Sequence, residues 1–579
     1  MKRNLWLVLL LAVALIATLG VLAGCGGTAA TTTTAAAPAT TAGSPSTTAA
    51  APTTTAAAPT TTAAPAANQP VAGGTLEVYI GDPSFIDPAN TFESEGTQVV
   101  QSLFDSLTAI DYKTMKVIPA AANSWDVNSD ATVFTFHLHP GATFHDGTPV
   151  TAADFKYAWE RICNPDQKSE IAYQIAMVKG YDEMQAGTAK ELVGVKAIDA
   201  NTLEVDMAQP FADFVTVIAH PSFGPVPKAE VEKDPKAYAD MPIGNGPFKM
   251  AEPWSHGQYV KVVKYDGYYG TKPNVDGIDF KIYKDVETAF IDFKAGTLDW
   301  TQIPSGQYKA TASQYGIADD GYTSNPGKQV QNGGEIAIYY LTMNNTVAPF
   351  DNANLRKAIS LAINRQAICD AVYEGIRKPA TSFIPEGLEG YEANAWPDSH
   401  YDMAAAKAAL TAAGYPDGKG LPAIKLSFNS GAGHEDVMQL VQSDLKAIGI
   451  NVEFDTSDAP TFWDKLGKGN YQIARCGWIM DYPLIYNFTY PEFQSKSGDN
   501  YSKYNNPQVD QAMIDAEKIT DPAARLAAFQ AIVKTIGSTD PVVPLDTYAH
   551  HNVTSERVNN LTYSAGGLLD FVSCWLSTK

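Results

Sequence analysis

Residues Tyr471–Phe493 read YQIARCGWIMDYPLIYNFTYPEF. Alternation from Tyr471 to Arg475 predicts a strand ending in Gly477-Trp478, and Tyr482-Pro483 then turns the chain out of it. The stretch offers one carboxylate at the strand exit, Asp481, beside Trp478, Tyr482, Tyr486, Phe488 and Tyr490. A carboxylate between apolar walls can hold a cationic group, because a charge pair there is screened less than in water. The same composition also suits a buried aromatic cluster with a solvated aspartate at its rim.

At 579 residues the chain is too long for one core, so two or three domains are expected; 45 % hydrophobic and 10 % aromatic residues are ordinary for a globular protein. The formal charge of −22 argues against nucleic acid or an anionic lipid surface as partner, since both require a basic face.

Lys2 and Arg3 precede an apolar run from Leu5 to Leu22, the charged and hydrophobic regions of a secretory signal. Leu22-Ala23-Gly24-Cys25 follows and resembles a bacterial lipobox, in which Cys25 would carry a diacylglyceryl group. Two or more acyl chains anchor a protein stably where one does not. The alternative is a secretory signal or membrane anchor with an incidental cysteine. Gly26 to Ala72 holds no charged residue and no large apolar one beyond valine, so it is expected to be a disordered tether. Its 47 residues reach on the order of 145 Å when extended and roughly 40 Å as a coil.

The folded part begins at Gly73-Gly74 with a predicted strand over Thr75–Ile80. Val100, Leu103, Phe104 and Leu107 share a helical face, which predicts a helix over Val99–Leu107. Thr132–Leu138 reads as a strand that puts His137 on the same face as His139; no Cys or acidic cluster stands at ligand spacing, so no metal is expected there. Thr151 and Asp154 form a capping pair that opens a helix through Phe155, Ala158, Trp159 and Ile162. Gly244 and Gly246 lack a following GKS or GxxG, which argues against a nucleotide loop. Strand, helix, strand over Asp276–Lys281, Val286–Phe293 and Gly296–Trp300 implies an α/β sheet. Ile336–Asn345 is a β-rich strand. Further on, helices are predicted after Asp351, Asp402 and Asp521-Pro522 and through Val437–Ile448, the last flanked by strands Ile424–Phe428 and Ile450–Asp455. Val542–Leu545 and Phe571–Leu576 read as closing strands.

Phe136–Arg161, FHLHPGATFHDGTPVTAADFKYAWER, together with Gly244–Lys249, Tyr265–Pro273 and the ARCGWIMDY segment from Ala474 to Tyr482, resembles in order the extracytoplasmic solute-binding proteins of ABC importers for oligopeptides, dipeptides and nickel. The resemblance covers nearly all of Gly73 to Lys579 and implies an α/β, two-lobed periplasmic-binding-protein-like fold with an additional small domain and hinge strands between the lobes. It places domain I at 73–92, 228–335 and 546–579, domain II at 93–227 and domain III at 336–545, after a signal peptide at 1–24 and the lipidated tether at 25–72. It implies a monomeric, lipid-anchored protein on the outer face of a bacterial cell membrane that captures peptides and hands them to a permease. No cofactor, metal or nucleic acid is implied. In the family, the position of Asp481 pairs with a peptide ammonium group, and those of His434 and Arg475 contact ligand carboxylates. Gly477, Trp478 and Tyr482 fall on the same motif, and Tyr173 is placed on the small-domain side of the ligand. Leu466 replaces a basic residue of the family, although Lys468 is near, and Ala459 replaces a pocket tryptophan, which leaves ligand length and side-chain preference open. Relatives that hold nickel chelates, haem or oligosaccharides keep those ligands as alternatives, as is a ligand-sensing lipoprotein without a transporter. A peptide hydrolase is the rival class, but HExxH, CxxC and, in the folded part, GxSxG are absent. Ala337 and Ile479 occupy the family's disulfide positions, so Cys163, Cys369, Cys476 and Cys574 are expected to be free, buried thiols.

Overall fold

A computed structural model describes residues 70–430 and 433–577; the leader, Cys25 and the tether as far as residue 69 lie outside the described residues. Leu76, Val78 and Ile80 of the first strand face inward while its other residues are half-buried, and this strand runs parallel to Gly277–Ile282 near the middle of a seven-stranded sheet. The helix Val286–Lys294 that follows is opened by Asp285, whose carboxylate accepts the Thr288 N–H at 2.7 Å.

A second sheet of six strands has the order Lys378–Pro379, Val542–Ala549, Gly334–Met343, Ile473–Ile479, Ile424–Asn429, Val452–Ser457. Gly334–Met343 is buried at every residue from Ile336 on, because helices cover both faces of this sheet; Leu355 and Ile359 pack in the same core as Val437 and Val441. A third sheet of four antiparallel strands holds Val133–Leu138 at its centre. Beside it, Asp154 accepts both the Thr151 N–H (2.8 Å) and the Thr151 hydroxyl (2.7 Å) at the start of the helix Ala152–Cys163.

The seven- and six-stranded sheets form two lobes, and the chain crosses between them on neighbouring strands. Gln331 pairs with Asn552 in the first sheet, and three residues later Gly334 pairs with Ala549 in the second. Residues 332–333 and 550–551 therefore make a double crossing, tied where the Gly333 N–H donates to His550 Nε2 at 3.0 Å.

Several elements differ from the sequence expectation. The helix expected at Val99–Leu107 runs from Ser94 to Leu103, because Glu93 caps it by accepting the Gly96 N–H and Phe104 turns extended. The strand expected over Phe571–Leu576 is broken into Leu569–Asp570 and Trp575–Leu576; the Asp570 carboxylate accepts the N–H groups of Val572 and Ser573 and bends the backbone between them. The strand from Ile473 continues through Gly477-Trp478 to Ile479. Cys163, Cys369, Cys476 and Cys574 are free and buried. His137 pairs with Asp126 at 2.9 Å and His139 lies against Tyr269, and among the described residues no group of ligating side chains is placed to hold a metal.

Candidate functional site

The strand Ile473–Ile479 has two different edges. Along one it pairs with Gly334–Met343 over all seven residues, but along the other Ile424–Asn429 pairs with it only at Ile473 and Ala474. From Arg475 to Ile479 no strand among the described residues pairs with that second edge, which leaves its backbone groups to an extended segment, with Arg475 at one end and Asp481 just beyond the other. Gly477 lies midway. A Cβ there would come within 2.6 Å of the Tyr548 hydroxyl, so glycine is what leaves room for the Tyr548 side chain, which reaches it from the strand Val542–Ala549 two places away in the sheet.

Asp481 is held by a residue that the sequence reading passed over. Asn487, fully buried in the helix Ile485–Phe493, accepts the Trp478 indole N–H (3.1 Å) and the Asp481 backbone N–H (3.0 Å) on its carbonyl and donates to Asp481 Oδ2 at 2.8 Å. Tyr173, from the far lobe, donates its hydroxyl to the same Oδ2 at 3.3 Å, while Oδ1 has no partner among the described residues. Burial pushes the Asp481 carboxyl up to about 6, against the opposing effect of those two hydrogen bonds. Asp499 is also pushed up to about 6, by burial and by the charges of Asp481 and Glu170. Asp481 keeps some surface because it faces a cavity of about 320 Å³ between the lobes, whose walls include Phe92, Tyr112, Met115, Ile479 and Met480.

These are not the walls expected from the sequence. Tyr486, Phe488 and Tyr490 enter the helix Ile485–Phe493 instead of ringing Asp481; Phe488 is wholly buried, and Tyr486 stacks on Tyr490 at 5.1 Å and meets Phe211 at 5.7 Å. Tyr482 is likewise buried in the main core and supports the site from behind. No amphipathic period marks this helix in the sequence, because every one of its residues except Tyr490 is buried.

At the other end, Arg475 is buried without a carboxylate partner among the described residues. Its Nε and Nη2 donate to the Asn429 side-chain carbonyl, and its guanidinium lies 5.3 Å from the Phe462 ring and 5.0 Å from that of Trp463. His434 opens the helix His434–Ala447, and its Nδ1 shares a hydrogen bond with the Tyr339 hydroxyl at 2.9 Å. Burial, then the charges of Arg475 and Arg377, push the ring down to about 3, so it is neutral. It borders a separate cavity of about 300 Å³ with Tyr308, Tyr373, Arg377 and Tyr548. The structure thus gathers Asp481, Trp478, Tyr482 and Tyr173 at one end of the strand edge and sets Arg475 at the other, one end acidic and the other cationic, while His434 stands on the separate cavity beside Tyr339.

The family model of bacterial extracellular solute-binding proteins, family 5 Middle, matches residues 116–500. The chain is 29 % identical over 512 residues to the oligopeptide-binding protein OppA of Bacillus subtilis, covering 86 % of this chain and 92 % of that protein. The structure of the murein tripeptide binding protein MppA of Escherichia coli is similar with a TM-score of 0.75 and 26 % identity, over 88 % of this chain and 99 % of that one. Haemophilus influenzae OppA in complex with RPPGFSPFR is similar with a TM-score of 0.74 and 26 % identity, over 87 % of this chain and 99 % of that one.

Proposed function

The chain belongs to the bacterial extracellular solute-binding proteins of family 5, which bind substrates for ABC transporters and are not enzymes, and from that premise we propose that it captures free peptides along the open edge of Ile473–Ile479. One observation carries this reading: a strand edge without a partner strand among the described residues ends at a half-buried carboxylate whose Oδ1 likewise has no partner among them and which faces a cavity between two lobes. The peptide adds as a strand, so main-chain hydrogen bonds give affinity without reading side chains. Its ammonium group sits against Asp481, with Tyr173 closing over from the other lobe. Its carboxylate lies toward Arg475, and His434 offers a neutral hydrogen bond there. The names of the relatives, which bind oligopeptides and a murein tripeptide, support peptides as the ligand class.

The wider arrangement is proposed on the same footing. Cys25 carries the lipid, the tether spaces the folded part from the outer face of the membrane, and the monomer delivers its peptide to the permease of an ABC importer. Domain I comprises 73–92, 228–335 and 546–579, domain II 93–227 and domain III 336–545; the three sheets support a division into three, with 334–335 and 546–549 belonging to the six-stranded sheet of domain III. Native mass spectrometry of protein purified without refolding tests the reading. A copurified ladder of peptide masses is expected, and a single mass belonging to a haem, metal chelate or sugar would overturn it.

A further inference from the structure

Away from the cavity at Asp481, a second set of contacts joins the two lobes. Asp213 ends the loop after the four-stranded sheet, and Arg525 lies in the helix Pro522–Gly537 beside the six-stranded one, 312 residues further on. Arg525 Nε and Nη2 donate to the two oxygens of Asp213 at 2.8 and 2.6 Å, a bidentate pair whose side chains keep only 10 % and 19 % of their surface. The remaining nitrogen, Nη1, donates to the carbonyl of Ile519 at 2.7 Å, which orients the guanidinium from its own lobe. Gln209 donates to Glu517 at 3.1 Å across the same seam, and the Phe211 ring lies against Tyr486. Neither Asp213 nor Arg525 lines the cavities at Asp481 or His434; they border an outer groove with Thr216, Tyr486 and Phe529.

We propose that the Asp213–Arg525 pair is a ligand-independent latch, made only when the lobes are together, that sets the affinity of the binding cleft without touching the ligand. The inference rests on the peptide-capture reading for what the cleft holds, but not for the latch itself. A bidentate pair tolerates little displacement, so rotation about the crossings at 332–333 and 550–551 breaks it. Because the groove leaves both groups partly wet, the cost of desolvating them is limited and the pair favours closure. A device of this kind raises the closed fraction before any ligand arrives, and affinity scales with that fraction.

The test begins without ligand. Spin labels on cysteines introduced at Ile198 and Tyr401, both exposed and one on each lobe, report the inter-lobe distance in the chain carrying Cys25→Ser, the other four native thiols being buried. Asp213→Asn is expected to add a population at longer distance, and Asp213→Arg combined with Arg525→Asp to restore the shorter one. Identical distance distributions for native protein and Asp213→Asn overturn the latch, provided circular dichroism shows both folded; a reversed pair that fails to restore it overturns it too. Titration with tetra-alanine then separates the two readings. Asp213→Asn is expected to weaken binding about tenfold for free and N-acetylated forms alike. If tetra-alanine and other free peptides fail to bind the native protein while the distances respond, the peptide reading falls and the latch stands.

Discussion

An aspartate that ionises at 3.8 as an ordinary side chain and at about 6 in the folded protein holds its proton more tightly once folded. Folding is therefore favoured by acid across that window, and stability is lost as pH rises from about 4 through 6. Above 6 the full cost of the buried charge at Asp481, about 3 kcal/mol, is present. Asp481→Asn is accordingly expected to stabilise the ligand-free protein by about 1–3 kcal/mol at pH 7 and by little at pH 4, measured by denaturant unfolding at both values. The same substitution removes the partner of the peptide ammonium group, which costs about 2–5 kcal/mol, or roughly 30- to several-thousand-fold in affinity. An N-acetylated peptide lacks that charge and should bind weakly to both proteins, with little difference between them. Equal losses for free and acetylated peptides in calorimetric titration would assign Asp481 to the fold instead. In the native protein, affinity for free peptides is expected to fall as pH drops below about 6, because the carboxylate is then protonated.

The helix Ile485–Phe493 has little reason to form alone: it is nine residues long, ends in Pro491 and two further residues, and has no side-chain cap at its start. Burial of Ile485, Phe488 and Phe493 holds it, and that packing delivers Asn487 to Asp481 and Trp478. Asn487→Ala leaves the indole N–H and the Asp481 backbone N–H without their acceptor and removes a donor from the carboxylate. A loss of about 2–4 kcal/mol in unfolding free energy is expected, larger than a surface substitution gives. Peptide affinity should fall with it, since the carboxylate loses the group that fixes its direction. A neighbouring element is sensitive for a different reason. Ala at Gly477 would crowd the Tyr548 hydroxyl, and Tyr548 is one of the two rings, with Tyr373, that sandwich Arg377 at 4.0 Å each. Gly477→Ala is expected to destabilise the protein by about 1–3 kcal/mol, and Tyr548→Phe in the same chain to recover part of it, both read from denaturant midpoints.

At the scale of the molecule, two lobes joined by two adjacent crossings have one soft direction of motion, rotation about residues 332–333 and 550–551. A peptide bridging Asp481 and Tyr173 binds both sides of the cleft and so favours the approach of the lobes. X-ray scattering at saturating peptide is expected to show a smaller radius of gyration for the folded part than in its absence; identical profiles would mean that the lobes do not move on binding. The proposed anchor is tested in cells. Cys25→Ser should abolish acylation and shift the protein out of the membrane fraction, whereas unchanged membrane retention after complete removal of the leader would refute it.

Local rules made much of this protein legible in one dimension. Alternation marked Thr75–Ile80 and Val133–Leu138, a side chain three residues away marked the cap of Ala152–Cys163, and the step from strand to turn marked Asp481. Each of these depends on residues within a few positions, where backbone geometry alone relates sequence to structure. Tertiary structure decided the rest. The strand edge at Arg475–Ile479 has no partner strand among the described residues because Ile424–Asn429 parts from it after Ala474, a fact of sheet register that no residue in the segment encodes. Whether Tyr486 and Phe488 lined the cavity or filled the core depended on which surfaces the helix met, and it met Phe211 and Phe529. Tyr173 reaches Asp481 across 308 positions of chain and Arg525 reaches Asp213 across 312, pairings that exist only because the double crossing folds one lobe back onto the other.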